Sequence, residues 1–384
     1  MTGLWSRRSF MAGLGMTGIA SLSSSVALAT STAEVYATRV ISHLSHRYHG
    51  WPTLTRRANG ELLVVCSGGR ETHVCPFGRV ELIRSKDEGQ TWSWPEVVMD
   101  GPIDDRDAGV VETANGSLLV TTFTSLAYEP ILQNAEAAGN WDAAKLARWQ
   151  AANNRIDATQ RQTALGVWMK RSTDGGITWS GRYDSLVNSP HGPIQLADGR
   201  LLYAGKDLWR EPSRVGVCES TDDGSTWTWL AEIPTRTGDD HNQYHELHAV
   251  EAANGKIVVH IRNHNTQNAR ETLQCESSDG GKTWTQPHAI GVWGLPSHLL
   301  RLRDDRLVMS YGHRRAPLGN QARVSEDHGA TWSEPLVLSS DGNSGDLGYP
   351  STVELTDGSL LTVWYESLKG SPFAQLRQVH WKIA

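Results

Sequence analysis

The sequence has little of what marks several large protein classes. Of its 384 residues only four are cysteines, too few for a scaffold built on disulfides. Cys66 and Cys75 could pair on neighbouring strands or stay as buried thiols, and no cysteine spacing suggests a metal site. Basic runs are absent and the formal net charge is −6, which argues against nucleic acid as the main partner. A mean hydropathy of −0.42 argues against a protein with many membrane spans.

The N-terminal residues have the order of an export signal. Residues 6–11 are SRRSFM, an apolar stretch rich in Gly and Ala follows, and residues 27–29 (ALA) offer a small-residue cleavage site. This order is typical of twin-arginine export, and the stretch is too short and too weakly apolar for a membrane anchor. We therefore expect residues 1–29 to be removed and the mature chain, 30–384, to reach the periplasm or beyond without a transmembrane segment.

One eight-residue motif occurs five times. The copies are SKDEGQTW (85–92), STDGGITW (172–179), STDDGSTW (220–227), SSDGGKTW (277–284) and SEDHGATW (325–332), with aspartates 87, 48, 57 and 48 residues apart. The shorter steps fit one four-stranded propeller blade each. In such a turn the Asp can accept amide hydrogen bonds, the Gly at the fifth position supplies a positive φ, and the Trp packs beside it. We interpret the motif as a hairpin lock, without a catalytic role.

A second repeated pattern gives the number of blades. Apolar runs broken by a small turn occur at 51–67, 108–123, 192–205, 247–262, 298–312 and 350–366, and Asn-Gly, Asp-Gly or Asp-Asp turns of this kind predict hairpins. The sequence thus predicts an all-β, six-bladed β-propeller in which YATRVISHLS (36–45) completes the last blade and closes the ring. Residues from about 125 to 166, rich in Ala, Gln, Asn and Glu, predict one or two helices inserted in blade 2, either shaping the pocket or lying on the surface.

The residues just before each apolar run should converge at the central mouth of the propeller, the default site. Along the chain they are Tyr48-His49-Gly50-Trp51, Asp104-Asp105-Arg106-Asp107, Ser189-Pro190-His191, Tyr244-His245-Glu246-Leu247-His248, Pro296-Ser297-His298 and Asp346-Leu347-Gly348-Tyr349. Polar and ionisable side chains are concentrated there. The histidines at 49, 191, 245, 248 and 298 leave a divalent metal open as a cofactor, although adjacent strand residues such as His245 and Glu246 point to opposite faces.

The five motifs, with ELHAVEAANGKIVVHIRN and GYPSTVELTDGSLLTVWYE, resemble the bacterial sialidase (neuraminidase) superfamily over essentially the whole mature chain. In that family a Glu activates a nucleophilic Tyr, three Arg side chains hold the substrate carboxylate, an Asp is the acid/base, and a late Glu steadies one Arg. The resemblance implies these roles for Tyr349 as nucleophile, Glu246 as its activator, Arg262 and one of Arg314 and Arg315 in the clamp, and Glu366 as the late Glu.

Two positions depart from the family pattern. His49-Gly50-Trp51-Pro52 stands where the first clamp Arg would precede an apolar residue and Pro, so Gly50 replaces that Arg. Arg79 or a neighbour occupies the place of the acid/base Asp, and Arg cannot donate a proton at neutral pH. His73, on a loop that also carries Arg70 and Glu71, could take over as acid/base, as could His49. Further candidates for the site are the blade-2 carboxylate Asp107 and, for substrate binding, Arg70, Arg106, His191, His298 and Trp51.

Four functions stay open at this point, all with an oligosaccharide or polysaccharide as partner. The first is a sialidase-like exo-glycosidase that removes a terminal acidic or deoxy sugar. The second is a polysaccharide lyase that cleaves by β-elimination at a uronic acid, with Arg neutralising the carboxylate and His or Tyr moving protons. The others are an exo-α-sialidase and a propeller that binds glycans without catalysis.

Overall fold

A computed structural model describes residues 32–384, and the predicted export signal lies outside them. The strands of blades 1 to 3 are β2 (Tyr48–Arg56), β3 (Leu62–Arg70), β4 (Arg79–Ser85), β5 (Glu96–Met99), β6 (Asp104–Glu112), β7 (Leu118–Ser125), β8 (Val167–Ser172), β9 (Tyr183–Asp184), β10 (Ile194–Gln195), β11 (Leu201–Lys206), β12 (Val215–Ser220) and β13 (Thr228–Glu232). Those of blades 4 to 6 are β14 (Tyr244–Glu251), β15 (Ile257–Asn263), β16 (Leu273–Ser277), β17 (His288–Ala289), β18 (Ser297–Arg301), β19 (Leu307–His313), β20 (Gly319–Ser325), β21 (Leu336–Ser339), β22 (Leu347–Glu354), β23 (Leu360–Ser367), β24 (Ala374–Ile383) and β1 (Ala33–Val40).

These strands form six four-stranded antiparallel sheets, which confirms the predicted six-bladed propeller. Five sheets contain four consecutive strands each, and the sixth has the order β1-β24-β23-β22. The N-terminal strand pairs with the C-terminal one, with Ala33 opposite Ile383 and Val40 opposite Arg377. The prediction that residues 36–45 complete the last blade is thereby confirmed for β1, and this pairing closes the ring.

Alternating side chains of each strand fill the two interfaces that a blade makes with its neighbours. In blade 1, Leu62 and Val64 pack with Val353 of blade 6, whereas Leu63 and Val65 pack against blade 2. All four of these blade-1 side chains have no exposed surface. A sheet buried on both faces needs apolar residues at successive positions, which is why the runs in the sequence are continuous.

The repeated motifs form turns between the third and fourth strands. Asp87 accepts hydrogen bonds from the Thr91 amide (2.9 Å) and hydroxyl (2.6 Å), and Gly89 has a φ of 81°. In two copies the tryptophan also reaches the preceding blade: Trp92 Nε1 donates to Gln378 (2.7 Å), as Trp332 Nε1 does to Gln274 (2.9 Å). The motif is therefore both a turn lock and a link between blades.

The insertion in blade 2 forms three helices, one more than the upper number predicted: α1 (Glu129–Ala138), α2 (Ala143–Asn153) and α3 (Ala158–Thr163). Asp142 caps α2 through the Lys145 amide (2.8 Å), and Asp157 forms a capping box with Gln160 at α3. The insertion follows the end of β7 on the mouth side of the propeller. Its residue Trp149 is 1 % exposed.

The helices pack on the loop between β3 and β4, which carries His73. Trp149 donates its indole hydrogen to Glu71 (3.1 Å), Arg148 forms an ion pair with Glu71 (3.0 Å), and Trp149 contacts Phe77 edge-on at 6.2 Å. The sequence left open whether the insertion shapes the pocket or only lies on the surface. This contact places the insertion against a loop of the candidate site. No helix among residues 32–384 is long and apolar enough to cross a membrane.

Of the two states considered for Cys66 and Cys75, a disulfide or free thiols, the structure shows free thiols. All four cysteines are free and buried in the described residues, so Cys66 and Cys75 form no disulfide. Cys66 lies in the interface of blades 6 and 1, while Cys75 packs with the insertion.

Candidate active site

Four inner strands begin with a bulge that directs a side chain into the mouth. Trp51, Asp107, Glu246 and Tyr349 have φ angles of 55°, 42°, 45° and 53°, and the strand register shifts at each of them. A left-handed residue at a bulge re-aims its side chain, and such conformations cluster at functional sites. Blades 1, 2, 4 and 6 thus present one residue each at an equivalent position.

Tyr349, Glu246 and Arg262 form a closed hydrogen-bonded group. The Tyr349 hydroxyl donates to Glu246 Oε1 at 2.5 Å, and Arg262 Nη1 donates to Glu246 Oε2 at 2.5 Å and to the Tyr349 oxygen at 2.9 Å. Arg262 Nε additionally donates to His264 Nε2 at 2.9 Å. A carboxylate that accepts the phenol hydrogen beside a guanidinium can remove that proton as the oxygen attacks.

The electrostatics of this group keep Glu246 ionised as a base. Burial alone would raise the pKa of Glu246, but the Arg262 charge and the Tyr349 hydroxyl outweigh it and leave that pKa below its usual value. Burial, and then the Glu246 charge, hold the pKa of Tyr349 well above its ordinary range. The resting state is therefore a neutral phenol donating to a carboxylate.

Asp107 supplies a second carboxyl group of a different character. Its side chain is buried, and burial followed by the charge of Glu246 raises the pKa of Asp107 to about 7. Asp107 therefore keeps its proton to a higher pH than Glu246 does. Two carboxyl groups whose environments separate their pKa values can play different roles in proton transfer.

Trp51 forms the floor on the blade-1 side. It is 1 % exposed, and the guanidinium groups of Arg106 and Arg70 lie over its ring at 4.4 Å and 5.0 Å. Arg70 is bidentate to Asp104, at 2.6 Å and 2.9 Å, and neither side chain has exposed surface. Arg70 therefore supports the floor from within, while Arg106 is 11 % exposed.

His73 lies at the edge of the same floor. Its ring contacts Trp51 edge-on at 4.9 Å, and its Nδ1 atom is 2.9 Å from Asp346. The side chain is 46 % exposed. His73 is thus an accessible ionisable side chain on the loop that the insertion supports.

Of the two arginines proposed for the third clamp position, Arg314 is the one near Tyr349. Its guanidinium carbon is 5.8 Å from the Tyr349 ring centroid, and its Nε donates to the Leu347 carbonyl at 2.9 Å. Arg315 is exposed and stacks on Trp293 at 4.1 Å. The structure brings Arg314 to the site and directs Arg315 elsewhere.

Glu366 does not reach the mouth. It lies on the face of β23 opposite Tyr365, is buried, and forms an ion pair with Arg377 of the next strand. The Tyr365 ring instead contacts Trp51 and Tyr349, each at 5.8 Å. Successive strand residues point to opposite faces, so an offset of one residue moves the side chain out of the site.

His49 is likewise directed away from the mouth. It is 3 % exposed, its Nε2 lies 3.7 Å from Glu81, and burial lowers the pKa of His49 to about 4. A histidine that is neutral and enclosed at neutral pH cannot protonate a leaving group. The structure therefore contradicts the acid/base role proposed for His49.

His191 and His298, proposed to bind substrate, are buried with His248 in an axial cluster. Their ring centroids are 4.6 to 5.3 Å apart. His248 and His298 lie beyond the bulges and accept backbone amides of the next blade, from Leu299 (2.9 Å) and Thr352 (3.4 Å). These histidines tie blades together along the axis.

The metal hypothesis finds no site in the described part of the chain. Within residues 32–384 no group of three or more His, Cys, Asp or Glu side chains is arranged to hold a metal ion. His245 lies beside His264, with ring centroids 4.6 Å apart, outside the axial cluster.

Several site residues were missed from the sequence. Tyr48, Tyr365 and Asp346 meet beside Gly50, Asp104 holds Arg70, and His264 holds Arg262. Tyr48, Asp104 and Asp346 belong to the polar segments before the apolar runs, so their position was visible although their role was not. Tyr365 resembles any apolar strand residue and gave no signal.

The sequence is similar to a known domain family and to characterised proteins. Residues 149–362 match the BNR repeat-like domain family. The chain is 26 % identical over 315 residues to a sialidase of Bacteroides fragilis (strain YCH46), covering 75 % of this chain and 54 % of the relative. It is 24 % identical over 326 residues to a sialidase of Paraclostridium sordellii, covering 82 % and 65 %. The chain thus spans between about half and two thirds of the length of these relatives.

Solved structures share the fold. A protein of unknown function from Dyadobacter fermentans DSM 18053 matches with a TM-score of 0.75 and 23 % identity, over 92 % of this chain and 99 % of that one. The NanB sialidase from Streptococcus pneumoniae matches with a TM-score of 0.64 and 13 % identity, over 90 % and 71 %. Since residues 149–362 are more than half of the sequence, the chain belongs to the BNR repeat-like domain family, within the sialidase superfamily of six-bladed propellers.

Proposed function

We propose that this protein is a glycoside hydrolase that removes a terminal acidic or deoxy sugar from a glycan and is not an orthodox sialidase. One observation carries the proposal: the Tyr349 hydroxyl donates to Glu246 at 2.5 Å beside Arg262. A nucleophile, its base and a charge that stabilises the base are thus within hydrogen-bonding distance of one another. The sialidase relatives support the reaction class, and the glycine at position 50 argues against the usual sialic-acid clamp.

The reaction proceeds in two displacement steps. Tyr349 Oη attacks the anomeric carbon and its proton passes to Glu246, while His73 Nε2 protonates the departing glycosidic oxygen. In the second step neutral His73 takes a proton from water, the water oxygen attacks the anomeric carbon, and the Tyr349–carbon bond breaks. Tyr349 then recovers its proton from Glu246, so each group returns to its starting state.

The charged groups at the mouth suggest where an acidic sugar would bind. Arg314 faces the Tyr349 ring, and Arg106 lies over Trp51 on the other side. Arg262 Nη1 is engaged by Glu246 and Tyr349, so Arg314 and Arg106 are the better candidates for a substrate carboxylate.

The test compares products released from a panel of acidic and deoxy oligosaccharides, with a sialoside included. A hydrolase releases a reducing sugar without the ultraviolet absorbance of an unsaturated uronate. Tyr349→Phe and Glu246→Gln should each lower kcat at least about a hundredfold with the fold intact, because general-base and nucleophilic groups contribute at this scale. Near-normal rates in both variants would rule out the mechanism, and Arg315→Gln is the matched control that should retain activity.

A β-eliminating lyase is the second candidate. It is favoured by the 2.9 Å contact between His73 Nδ1 and the Tyr48 hydroxyl at a mouth that also contains Arg106, because His, Tyr and Arg are the groups that β-elimination requires. Release of an unsaturated product by the same protein would decide for it. Release of sialic acid would identify the protein as an orthodox sialidase. Binding without any product would identify it as a glycan-binding propeller without catalysis.

We also propose that the protein is exported through the twin-arginine route to the periplasm or beyond, on the pattern SRRSFM followed by an apolar stretch. Replacing Arg7 and Arg8 together by Lys should leave the uncleaved chain in the cytoplasm. Normal export of that variant would contradict the proposal.

A further inference from the structure

The corner of the mouth at Gly50 is filled by tyrosine side chains. A Cβ at this glycine would lie 3.1 Å from the Tyr48 ring, 3.8 Å from its hydroxyl and 3.9 Å from the Tyr365 ring. Tyr48 is 2 % exposed and Tyr365 has no exposed surface. The absence of a long side chain at this position is therefore matched by neighbours that occupy the space.

Both hydroxyls of the corner converge on Asp346. The Tyr48 hydroxyl lies 3.0 Å from each Asp346 oxygen, and the Tyr365 hydroxyl donates to Oδ1 at 3.0 Å. Burial raises the pKa of Asp346, but hydrogen bonds from His73 and the two tyrosines outweigh burial and leave it below its ordinary value. The carboxyl group is therefore ionised and acts only as an acceptor.

An ionised carboxylate fixes which nitrogen of His73 carries the hydrogen. Nδ1 of His73 is 2.9 Å from Asp346 Oδ1 and 2.9 Å from the Tyr48 hydroxyl. The Tyr48 hydroxyl donates its single hydrogen to Asp346, and the carboxylate has no hydrogen to give, so Nδ1 is the donor to Asp346. The second ring nitrogen, Nε2, is then the one that accepts or releases protons. The partner of one imidazole nitrogen thus sets the chemistry of the other.

The backbone of the loop holds the ring in the same place. Arg70 Nη2 donates to the His73 carbonyl at 3.0 Å, and Arg70 itself is fixed by Asp104. The imidazole also packs edge-on against Trp51, with an interplanar angle of 82°. Orientation is therefore imposed from the side chain and from the main chain.

We propose that Asp346 is the positioning residue of the site: it fixes the Nδ1–H tautomer of His73 and directs Nε2 into the mouth for proton transfer to and from the glycosidic oxygen. This rests on the hydrolase proposed above. It adds a residue from blade 6 that acts through His73.

The activity test uses Asp346→Asn, with Asp341→Asn as the matched control. Asp341 belongs to the same loop and pairs with Arg377 at 3.0 Å, and its side chain is 63 % exposed. We expect Asp346→Asn to lower kcat about 10²- to 10⁴-fold, the usual range for general acid–base catalysis, with KM changed no more than about threefold. Asp341→Asn should retain the rate of the unmodified protein, and Asp346→Glu should recover part of it. Unchanged kcat in Asp346→Asn would overturn the proposal.

The second measurement does not depend on activity. The ¹⁵N chemical shifts of the His73 ring, assigned by comparison with His73→Gln, report which nitrogen carries the hydrogen. At a pH where the ring is neutral, the unmodified protein should show the Nδ1–H form, and Asp346→Asn should show a mixture or the Nε2–H form. An Nε2–H form in the unmodified protein overturns the proposal even if the variant does not fold. If no glycan is hydrolysed, the hydrolase proposal fails while this measurement still decides the role of Asp346.

Discussion

The axial histidines should make the stability of this propeller depend on pH in a way that two substitutions can isolate. His248 and His298 are 4 % and 7 % exposed and stack with ring centroids 4.6 Å apart. Burial lowers the pKa of His298 to about 3. Burial, and then the neighbouring histidines, lower the pKa of His248 well below its usual value.

The direction of the effect follows from where the proton binds. An unfolded histidine titrates near pH 6.5, whereas the folded chain keeps both of these rings neutral far below that pH. Above about pH 6.5 both states are neutral and the two rings contribute no pH dependence. As the pH falls below that value the unfolded state gains protons that the native state cannot accept, so stability is lost until the native rings titrate. At about pH 5 the loss is roughly 2 kcal/mol for each histidine.

Asparagine is the substitution that removes the titration and keeps the hydrogen bond. Its Oδ1 can take the place of Nδ1, which accepts the amide of Leu299 in one ring and of Thr352 in the other. The test is the free energy of unfolding, measured with urea at about pH 7.5 and about pH 5. Between these two pH values the unmodified protein should lose about 2 kcal/mol more stability than His248→Asn or His298→Asn. It should lose about 4 kcal/mol more than the double variant. His46→Asn, at an exposed position, serves as the control.

Matched variants are needed because other groups oppose the histidines. Burial raises the pKa of Asp105 and of Asp107 to about 7 in each case, so the native state holds protons on them that the unfolded chain releases, and stability rises as the pH falls through 7. The difference between the proteins cancels this contribution. Parallel pH dependence of the unmodified protein and the double variant would refute the reasoning.

The other predictions concern packing around the mouth and the repeated turns. Asp104→Asn leaves the buried Arg70 charge unpaired and should cost about 3 to 5 kcal/mol in urea unfolding, whereas Asp104→Leu combined with Arg70→Met should recover most of it; equal losses would contradict this. Glu71→Ala removes the acceptor of the Trp149 indole and should lower kcat by loosening the loop of the acid/base residue, and an unchanged kcat would contradict the supporting role of the insertion. Asp327→Ala removes three turn hydrogen bonds and should cost about 1 to 3 kcal/mol, so an unchanged thermal midpoint would contradict the lock.

The propeller was predictable because its evidence is local and repeated. Each motif combines a carboxylate acceptor with a glycine at positive φ, and each hairpin has a turn dipeptide, so strand number and blade order follow from spacing alone. The number of helices in the insertion was not predictable in the same way. Helix α3 has six residues, too few for independent stability, and depends on the Asp157 cap and on docking.

The candidate site was predictable only in part, because bulges change which face of a strand a residue occupies. The resemblance supplied Glu246, Arg262 and Tyr349, which the structure brings together. Alternation counted from an apolar run fails where the register shifts, and a sequence does not display such shifts. Glu366 was proposed from the resemblance, whereas its strand neighbour Tyr365 is the side chain that contacts Trp51 and Tyr349.

The corner at Gly50 has physical consequences for the substrate. Sialidases carry the first clamp arginine at this corner. This chain has the ionised carboxylate of Asp346 there, and that carboxylate accepts hydrogen bonds from two tyrosines and His73. A substrate carboxylate directed to that corner would meet a like charge in a partly enclosed place, an arrangement that costs affinity. An acidic sugar would therefore direct its charge towards Arg314 or Arg106, and the group that faces the corner would be an uncharged hydroxyl or a deoxy position. Restoring an arginine at position 50 would not recreate the family's clamp, because the Tyr48 ring lies 3.1 Å from the Cβ it would need and Asp346 would neutralise it.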